Sequence, residues 1–322
     1  MTLNIGIIMG GYSKEIDISF KSGNVVYNVL KNKFNCYRIH ILEKEWFYID
    51  DSNKKFNVNR ETFEIHERPE IKFDCIFNAI HGSPGENGVI QNYFSKLGIP
   101  ITGCGSKESE LTFDKIKCLK FLSDKGIKTA KSISVKKNTK IKSDKILKEI
   151  GFPCFIKASK SGSSFGVYKV YNQEEFIDCL SSAFEIDNEI LVETFIEGRE
   201  FSIGVITYKN IVTVLPITEI IASNDFFDYE AKYEGKSQEI TPAKIDNKLI
   251  DNLNKISKDI YKMIGLKGFS RSEFIVNKDG IFFLETNTVP GLTSESILPQ
   301  QAQHAGISLE DLFINSIYEV IK

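Results

Sequence analysis

Residues Gly268–Thr293 read GFSRSEFIVNKDGIFFLETNTVPGLT, and the fold turns on how this stretch is paired. Two apolar runs, Glu273–Val276 and Ile281–Leu284, flank Asn277-Lys278-Asp279-Gly280. That tetrapeptide suits a type I turn followed by a left-handed glycine, which is the three-residue loop of a β-hairpin. On that basis Asn277 pairs with Ile281, Glu273 lies opposite Glu285, and Arg271 lies opposite Asn287. Side chains two residues apart share a face. Arg271, Glu273, Glu285 and Asn287 therefore gather on one face at the open end of the hairpin. Phe274, Val276, Phe282 and Leu284 form the apolar face. Carboxylates directly opposite each other repel, and a divalent cation relieves the repulsion. Two carboxylates and an amide oxygen are hard ligands, which suit Mg²⁺ or Mn²⁺ better than zinc. A solvated sheet face is the plain alternative, and the rest of the chain decides between them.

Working outward, 322 residues with 42% hydrophobic and 26% charged side chains give a globular chain with room for two or three domains. A formal net charge of −2 argues against a nucleic-acid coat or an electrostatic membrane anchor. No apolar run approaches the roughly 20 residues of a membrane-spanning helix. Met1–Gly10 lacks a basic leader and runs directly into a strand, so a cytoplasmic protein is expected. The six cysteines contain no CxxC pair, which disfavours zinc and suits reduced, buried thiols.

The N-terminal pattern is strand Leu3–Met9, Gly10-Gly11, then a helix that Ser13 or Asp17 is placed to cap. Strand, glycine turn and helix start form the ligand-binding corner of an open α/β sheet, and Glu15 sits in it. Cys36–Leu42 and Lys72–Ala79 read as further strands, with Trp46–Ile49 as an edge strand. The loop from Ile80 to Gly88 carries His81 and three glycines at a strand's carboxyl end, a placement that favours a site. Asp114 and Lys115 open a helix that runs to Lys125.

Phe152–Lys157 is a strand ending in a lysine, followed by the Gly/Ser loop Ala158–Gly166. A lysine beside loop N–H groups and hydroxyls such as that of Ser164 is a phosphate-binding layout. No helix follows in a GxxxxGK[ST] pattern, so it is not a Walker A loop. Glu219–Ser237 is polar, aromatic and irregular, with the length of a lid or binding loop. Ser308 is the expected N-cap of the last helix, with Asp311 in the capping-box position.

Taken in order, GGYSKEIDIS, NAIHGSPGENGVIQ, the IPITGCG-to-DK segment, FPCFIKASKSGSSFG, LVETFIEGREF, FDYEAKY, and SRSEF with LETNTVPGLT resemble the D-alanine–D-alanine ligases of the ATP-grasp superfamily. The resemblance covers almost the whole chain. It implies an α/β (α+β) protein with the three-domain ATP-grasp fold. The units would be an N-terminal open parallel-sheet domain over 1–105, a central ATP-grasp subdomain over 106–195, and a C-terminal catalytic domain over 196–322.

By the same resemblance, Lys115 and Lys157 contact the phosphates of ATP, and Lys232 lies near the γ-phosphate. Glu193, Thr194 and Ile196 meet the adenine, and Glu200 meets the ribose. Glu273, Glu285 and Asn287 hold two Mg²⁺. Glu15 binds the ammonium of the first D-alanine, in a hydrogen-bonded set with Ser163 and Tyr233, and His81 lies nearby. Arg271 and the Gly291 backbone stabilise the oxyanion. Ser296 and Ile297 receive the carboxylate of the second D-alanine. A homodimer is the family's expectation. In related ligases that make D-alanyl-D-lactate the tyrosine is absent, so Tyr233 favours an amine nucleophile. Two readings stand beside this one: a ligase with another second substrate such as D-lactate, and a non-catalytic nucleotide-binding relative. Three positions depart from the family pattern: Glu273 stands for aspartate, Ala158 for proline and Asn87 for aspartate.

Overall fold

A computed structural model describes residues 2–139, 143–222 and 237–321. The chain opens with β1 (Asn4–Gly10), α1 (Ile16–Leu30), β2 (Asn35–Ile41), β3 (Trp46–Ile49), β4 (Lys55–Asn57) and β5 (Cys75–Asn78). These five strands form one sheet in the order β4-β3-β2-β1-β5. The strand β1 runs parallel to β2 and β5, whereas β3 and β4 are added antiparallel. The expected open parallel sheet is therefore mixed, and Trp46–Ile49 is internal because β4 covers its outer edge. Residue Ile101 adds a single parallel bridge to Ile76. The ends of β1 and β5 meet at the glycine turn, where Tyr12 N–H donates to the Ser83 carbonyl at 2.7 Å.

Helices α2 (Val89–Leu97), α3 (Ser106–Phe113) and α4 (Lys115–Ser123) lead to the central unit. There β6 (Ser132–Lys136), α5 (Ser143–Ile150), β7 (Cys154–Ala158), β8 (Val167–Val170), α6 (Gln173–Phe184) and β9 (Glu189–Thr194) build an antiparallel sheet ordered β6-β9-β7-β8. A third sheet follows. It contains β10 (Arg199–Tyr208), β11 (Ile211–Val214), β12 (Thr218–Ala222), β13 (Ser237–Ile240), β14 (Phe269–Asn277) and β15 (Gly280–Asn287). Its order is β13-β12-β10-β14-β15, with β11 paired to β10. Helix α7 (Asn247–Ile264) packs Leu253, Ile260 and Tyr261 on Phe201, Ile203, Phe274 and Phe283 of this sheet. Part of the stretch expected to be irregular is regular: Glu219 to Ala222 belong to β12, which pairs with β10 and β13, and Ser237 opens β13, while residues 223–236 lie outside the described residues.

The chain ends with α8 (Ile297–His304) and α9 (Leu309–Val320). Ser308 caps α9 as expected: Asp311 N–H donates to its hydroxyl at 3.0 Å, and that hydroxyl donates to the Asp311 carboxylate at 2.7 Å. At α1 the expectation fails. Glu15 occupies the cap position with no side-chain cap bond, and Ser13 accepts the Glu15 N–H from outside the helix. The two final helices bring Leu298, Leu312, Phe313 and Ile317 onto Ile5, Ile7, Met9 and Phe77 of the first sheet. The N-terminal sheet thus shares its core with the C-terminal end of the chain.

The β14–β15 hairpin corrects the turn and keeps the register where it matters. Asn277 pairs with Gly280 around a two-residue loop, and Val276, Ile275 and Phe274 pair with Ile281, Phe282 and Phe283. A bulge between Glu273 and Phe274 then takes up Leu284, after which Glu273 lies opposite Glu285 and Arg271 opposite Asn287. The apolar face changes accordingly. Phe274 and Phe283 enter the core, whereas Leu284 faces the gap between the second and third sheets.

Candidate active site

Two cavities of about 500 and 510 Å³ adjoin between the sheets. The first lies between the central and C-terminal sheets. Lys157 at the end of β7, Ser164 of the Gly/Ser loop and the strip Glu193–Glu200 line it from several sides. Ile220, Ile275 and Leu284 give it an apolar floor. An apolar slot with two lysines in its lining suits a purine carrying phosphates. Lys157 is ion-paired to Glu193, which is 4% exposed.

The second cavity lies toward the N-terminal sheet. Glu15, His81, Ser163, Arg271, Gly291, Ser296 and Ile297 all line it, together with Asn287. Lys115 and Glu285 line both cavities, so they form the partition. Glu273 faces the first cavity. Lys232 and Tyr233 lie outside the described residues. Every other residue given a substrate, nucleotide or metal role by the resemblance, and Ser164, lines one or other of these two cavities.

Local chemistry explains each placement. Asp114 caps α4, accepting the Lys117 N–H at 3.1 Å and the Ser159 hydroxyl at 2.9 Å. Lys115 N–H donates to the Ser159 carbonyl at 3.0 Å, so the helix start is fastened to the base of the Gly/Ser loop. The Lys115 ammonium then reaches the Ser161 carbonyl at 2.7 Å and the Glu285 carboxylate at 3.1 Å. Ser163 and Ser164 have φ of 48° and 59°, in the left-handed region. Strain at two adjacent non-glycine residues is a mark of functional loops. Gly162 lets this loop approach Glu15: a Cβ there would stand 2.6 Å from Glu15 Oε2. The Ser163 hydroxyl donates to the other oxygen of the same carboxylate.

On the hairpin, Arg271 donates to Glu273 at 2.9 Å while Lys115 holds Glu285, so each of the facing carboxylates has a cation of its own. Asn287 Oδ1 accepts the Val289 N–H at 2.8 Å, which leaves a second lone pair on that oxygen. Two anionic oxygen donors and one neutral one, gathered beside phosphate-binding lysines, fit Mg²⁺ in their chemistry. Sequence reasoning missed Glu239. It lines the second cavity from β13, and burial raises its carboxyl above the usual range, with Arg271 lowering it and Glu273 raising it. Its signal was weak, because β13 is four residues long and follows an irregular stretch. The apolar floor and the Asp114–Ser159 bond were missed as well.

Two antiparallel sheets closing on a nucleotide-shaped slot, with a lysine from each side and a second polar cavity through the partition, define an enzyme of the ATP-grasp class. Known proteins narrow this. The profile of the D-ala D-ala ligase N-terminus matches residues 4–104, and that of the D-ala D-ala ligase C-terminus matches 121–318. A D-alanine–D-alanine ligase of Flavobacterium johnsoniae is 52% identical over 98% of both chains. Among solved structures, the VanG D-Ala:D-Ser ligase of Enterococcus faecalis superposes with a TM-score of 0.85 at 32% identity, covering 99% of each chain. A Bacillus anthracis D-alanine–D-alanine ligase complexed with ATP gives 0.79 at 29%, covering 99% of this chain and 97% of that one. The chain belongs to the D-alanine–D-alanine ligase family.

Proposed function

We propose that the protein joins two D-alanines into D-alanyl-D-alanine at the expense of ATP, supplying a peptidoglycan precursor. One observation carries this reading: Lys115 and Glu285 are shared by the nucleotide cavity and the polar cavity. A γ-phosphoryl group at that partition reaches a carboxylate on the far side without crossing solvent.

Uniting a carboxylate with an amine in water is uphill, so the carboxylate is first made into an acyl phosphate. Glu15, oriented by Ser163, holds the ammonium of the first D-alanine and turns its carboxylate toward the partition. Lys115 and Lys157 hold the phosphates, and the protein's contribution to phosphoryl transfer is position and charge. The amine of the second D-alanine, its carboxylate at Ser296 and Ile297, then attacks the acyl carbon, and phosphate leaves. In this reading Arg271 and the Gly291 N–H stabilise the developing oxyanion; both residues line the second cavity. Glu273, Glu285 and Asn287 would hold two Mg²⁺ (or Mn²⁺), which supply neutralisation of the phosphate oxygens. Lys232 and Tyr233 belong to the same scheme through the resemblance.

The finer expectations complete the proposal. We place the enzyme in the cytoplasm: it uses ATP, and its cysteines are unpaired. No helix among the described residues is long and apolar enough to cross a membrane. We propose a homodimer on the family's precedent, and a division of the chain into the units 1–105, 106–195 and 196–322.

The test is phosphate release from ATP with D-alanine alone, against D-alanine plus D-lactate or D-serine. Turnover with D-alanine alone, yielding the dipeptide, is expected. No turnover with D-alanine alone sinks the reading, and turnover only in the mixtures transfers it to a ligase with another second substrate.

A further inference from the structure

The loop that carries Gly291 joins β15 to α8, yet it is held by the N-terminal domain. His81 and Ser22 are 3% and 0% exposed. The Nδ1 of His81 lies 2.8 Å from the Val289 carbonyl, and its Nε2 lies 2.8 Å from the Ser22 hydroxyl. Leu292 N–H donates to the same hydroxyl at 3.3 Å. A carbonyl oxygen only accepts, so Nδ1 carries the proton. In the neutral ring Nε2 accepts from Ser22, and Ser22 accepts from Leu292. The segment Val289–Leu292 is thus gripped at both ends by one imidazole–hydroxyl pair. Its Val289 N–H is held in addition by Asn287 at 2.8 Å.

The residues that make the grip also belong to the frame of the first-substrate site. Ser22 is on α1, which begins directly after Glu15. His81 ends the strand-loop segment whose carbonyl receives the Ser13 hydroxyl at 3.1 Å. Gly291 in turn rests on Ser296, where a Cβ would meet the hydroxyl oxygen at 2.5 Å. With both ring nitrogens engaged, His81 has no nitrogen left for a substrate.

We infer that His81 and Ser22 are positioning residues that fix the Gly291 N–H of the C-terminal domain at a set distance from Glu15 of the N-terminal domain. The pair thereby aligns the acyl carbon with its oxyanion donor, and it does so through the loop and not by touching D-alanine. This rests on the assignment of Glu15 and Gly291 made above. If it holds, removing the pair slows the step in which the oxyanion forms, while D-alanine and ATP still bind.

The test uses the full-length enzyme with His81→Phe, His81→Asn, Ser22→Ala and the double variant His81→Phe/Ser22→Ala, each checked for folding by circular dichroism. Asparagine places an amide N–H near the position of Nδ1 and keeps the bond to Val289. We expect Ser22→Ala and His81→Phe to lower kcat about tenfold or more, as removal of an aligned oxyanion donor does. The dissociation constants of ATP and D-alanine, measured by calorimetry without turnover, should stay within about twofold, since no ligand contact is lost. Asparagine should recover part of the loss, and the double variant should be no worse than His81→Phe, because the two residues act as one unit. Weaker D-alanine binding with unchanged kcat would make His81 a direct ligand and overturn the inference. So would losses that multiply in the double variant, or variants as active as the wild type. Wild-type enzyme that fails to turn over D-alanine would instead overturn the site assignment beneath it, and Ser22→Ala, the smallest change, keeps the question answerable should the His81 variants misfold.

Discussion

At the scale of single residues, the partition between the cavities brings four charged side chains together. Glu273 and Glu285 face each other across the hairpin, and Arg271 and Lys115 each neutralise one of them. Such an arrangement is costly to the fold unless it serves a ligand, since like charges directly opposite cost up to about 1 kcal/mol. Glu285→Gln keeps the shape and removes one charge. It should leave the thermal midpoint unchanged or slightly higher, and lower D-alanine-dependent ATP hydrolysis by roughly a hundredfold or more. Wild-type turnover in this variant would remove Glu285 from the metal and phosphate machinery. Glu273 accepts a 2.9 Å hydrogen bond from Arg271.

At the scale of elements, α4 shows how a helix start becomes part of a site. Its cap, Asp114, is 1% exposed and serves both the Lys117 N–H and the Ser159 hydroxyl. Asp114→Ala loses the cap and strands a buried hydroxyl, so a loss of about 2 kcal/mol in urea denaturation is expected. Asp114→Asn keeps an acceptor at the same place and should recover most of it. ATP affinity should fall in the alanine variant alone, because Lys115 is then free to leave Ser161. Equal ATP affinity in both variants would separate the cap from the site. The sequence made this helix legible but not its fastening, since Asp114 and Ser159 are 45 residues apart. The same limit governs the hairpin. Counting outward placed Glu273 against Glu285, but the tighter turn and the bulge at Leu284 offset each other, and only packing shows that Phe283, not Phe282, is the core residue. The short α3 was missed because Ser106–Phe113 carries little helical periodicity, and β4 because three residues give no pattern to read. The motif-bearing loops were legible to the extent that their residues gather around two adjoining cavities, since such loops draw on few residue types.

At the scale of the whole molecule, the linings of the two cavities draw on three sheets and their loops, and a core that disregards chain order links the first sheet to the end of the chain. Phe313 of α9 is fully buried against Phe77 of β5, ring centroids 5.5 Å apart and nearly edge-to-face. Through that contact the last helix supports the strand whose end carries His81, and so the floor of the first-substrate site. We therefore expect the N-terminal sheet, although continuous in sequence, not to fold independently of the last two helices. The chain has a single tryptophan, Trp46, buried in β3 on that sheet, which makes the dependence measurable. Phe313→Ala removes a large buried ring, and a loss of roughly 3–5 kcal/mol is expected. If the shared core couples the two ends of the chain, Trp46 fluorescence will report that loss in full and at the same denaturant midpoint as far-UV circular dichroism. A Trp46 transition that keeps its wild-type midpoint while the circular dichroism shifts would show the N-terminal sheet standing alone. In that case the alignment of Glu15 with the Gly291 loop would depend on the buried His81–Ser22 grip without support from α9.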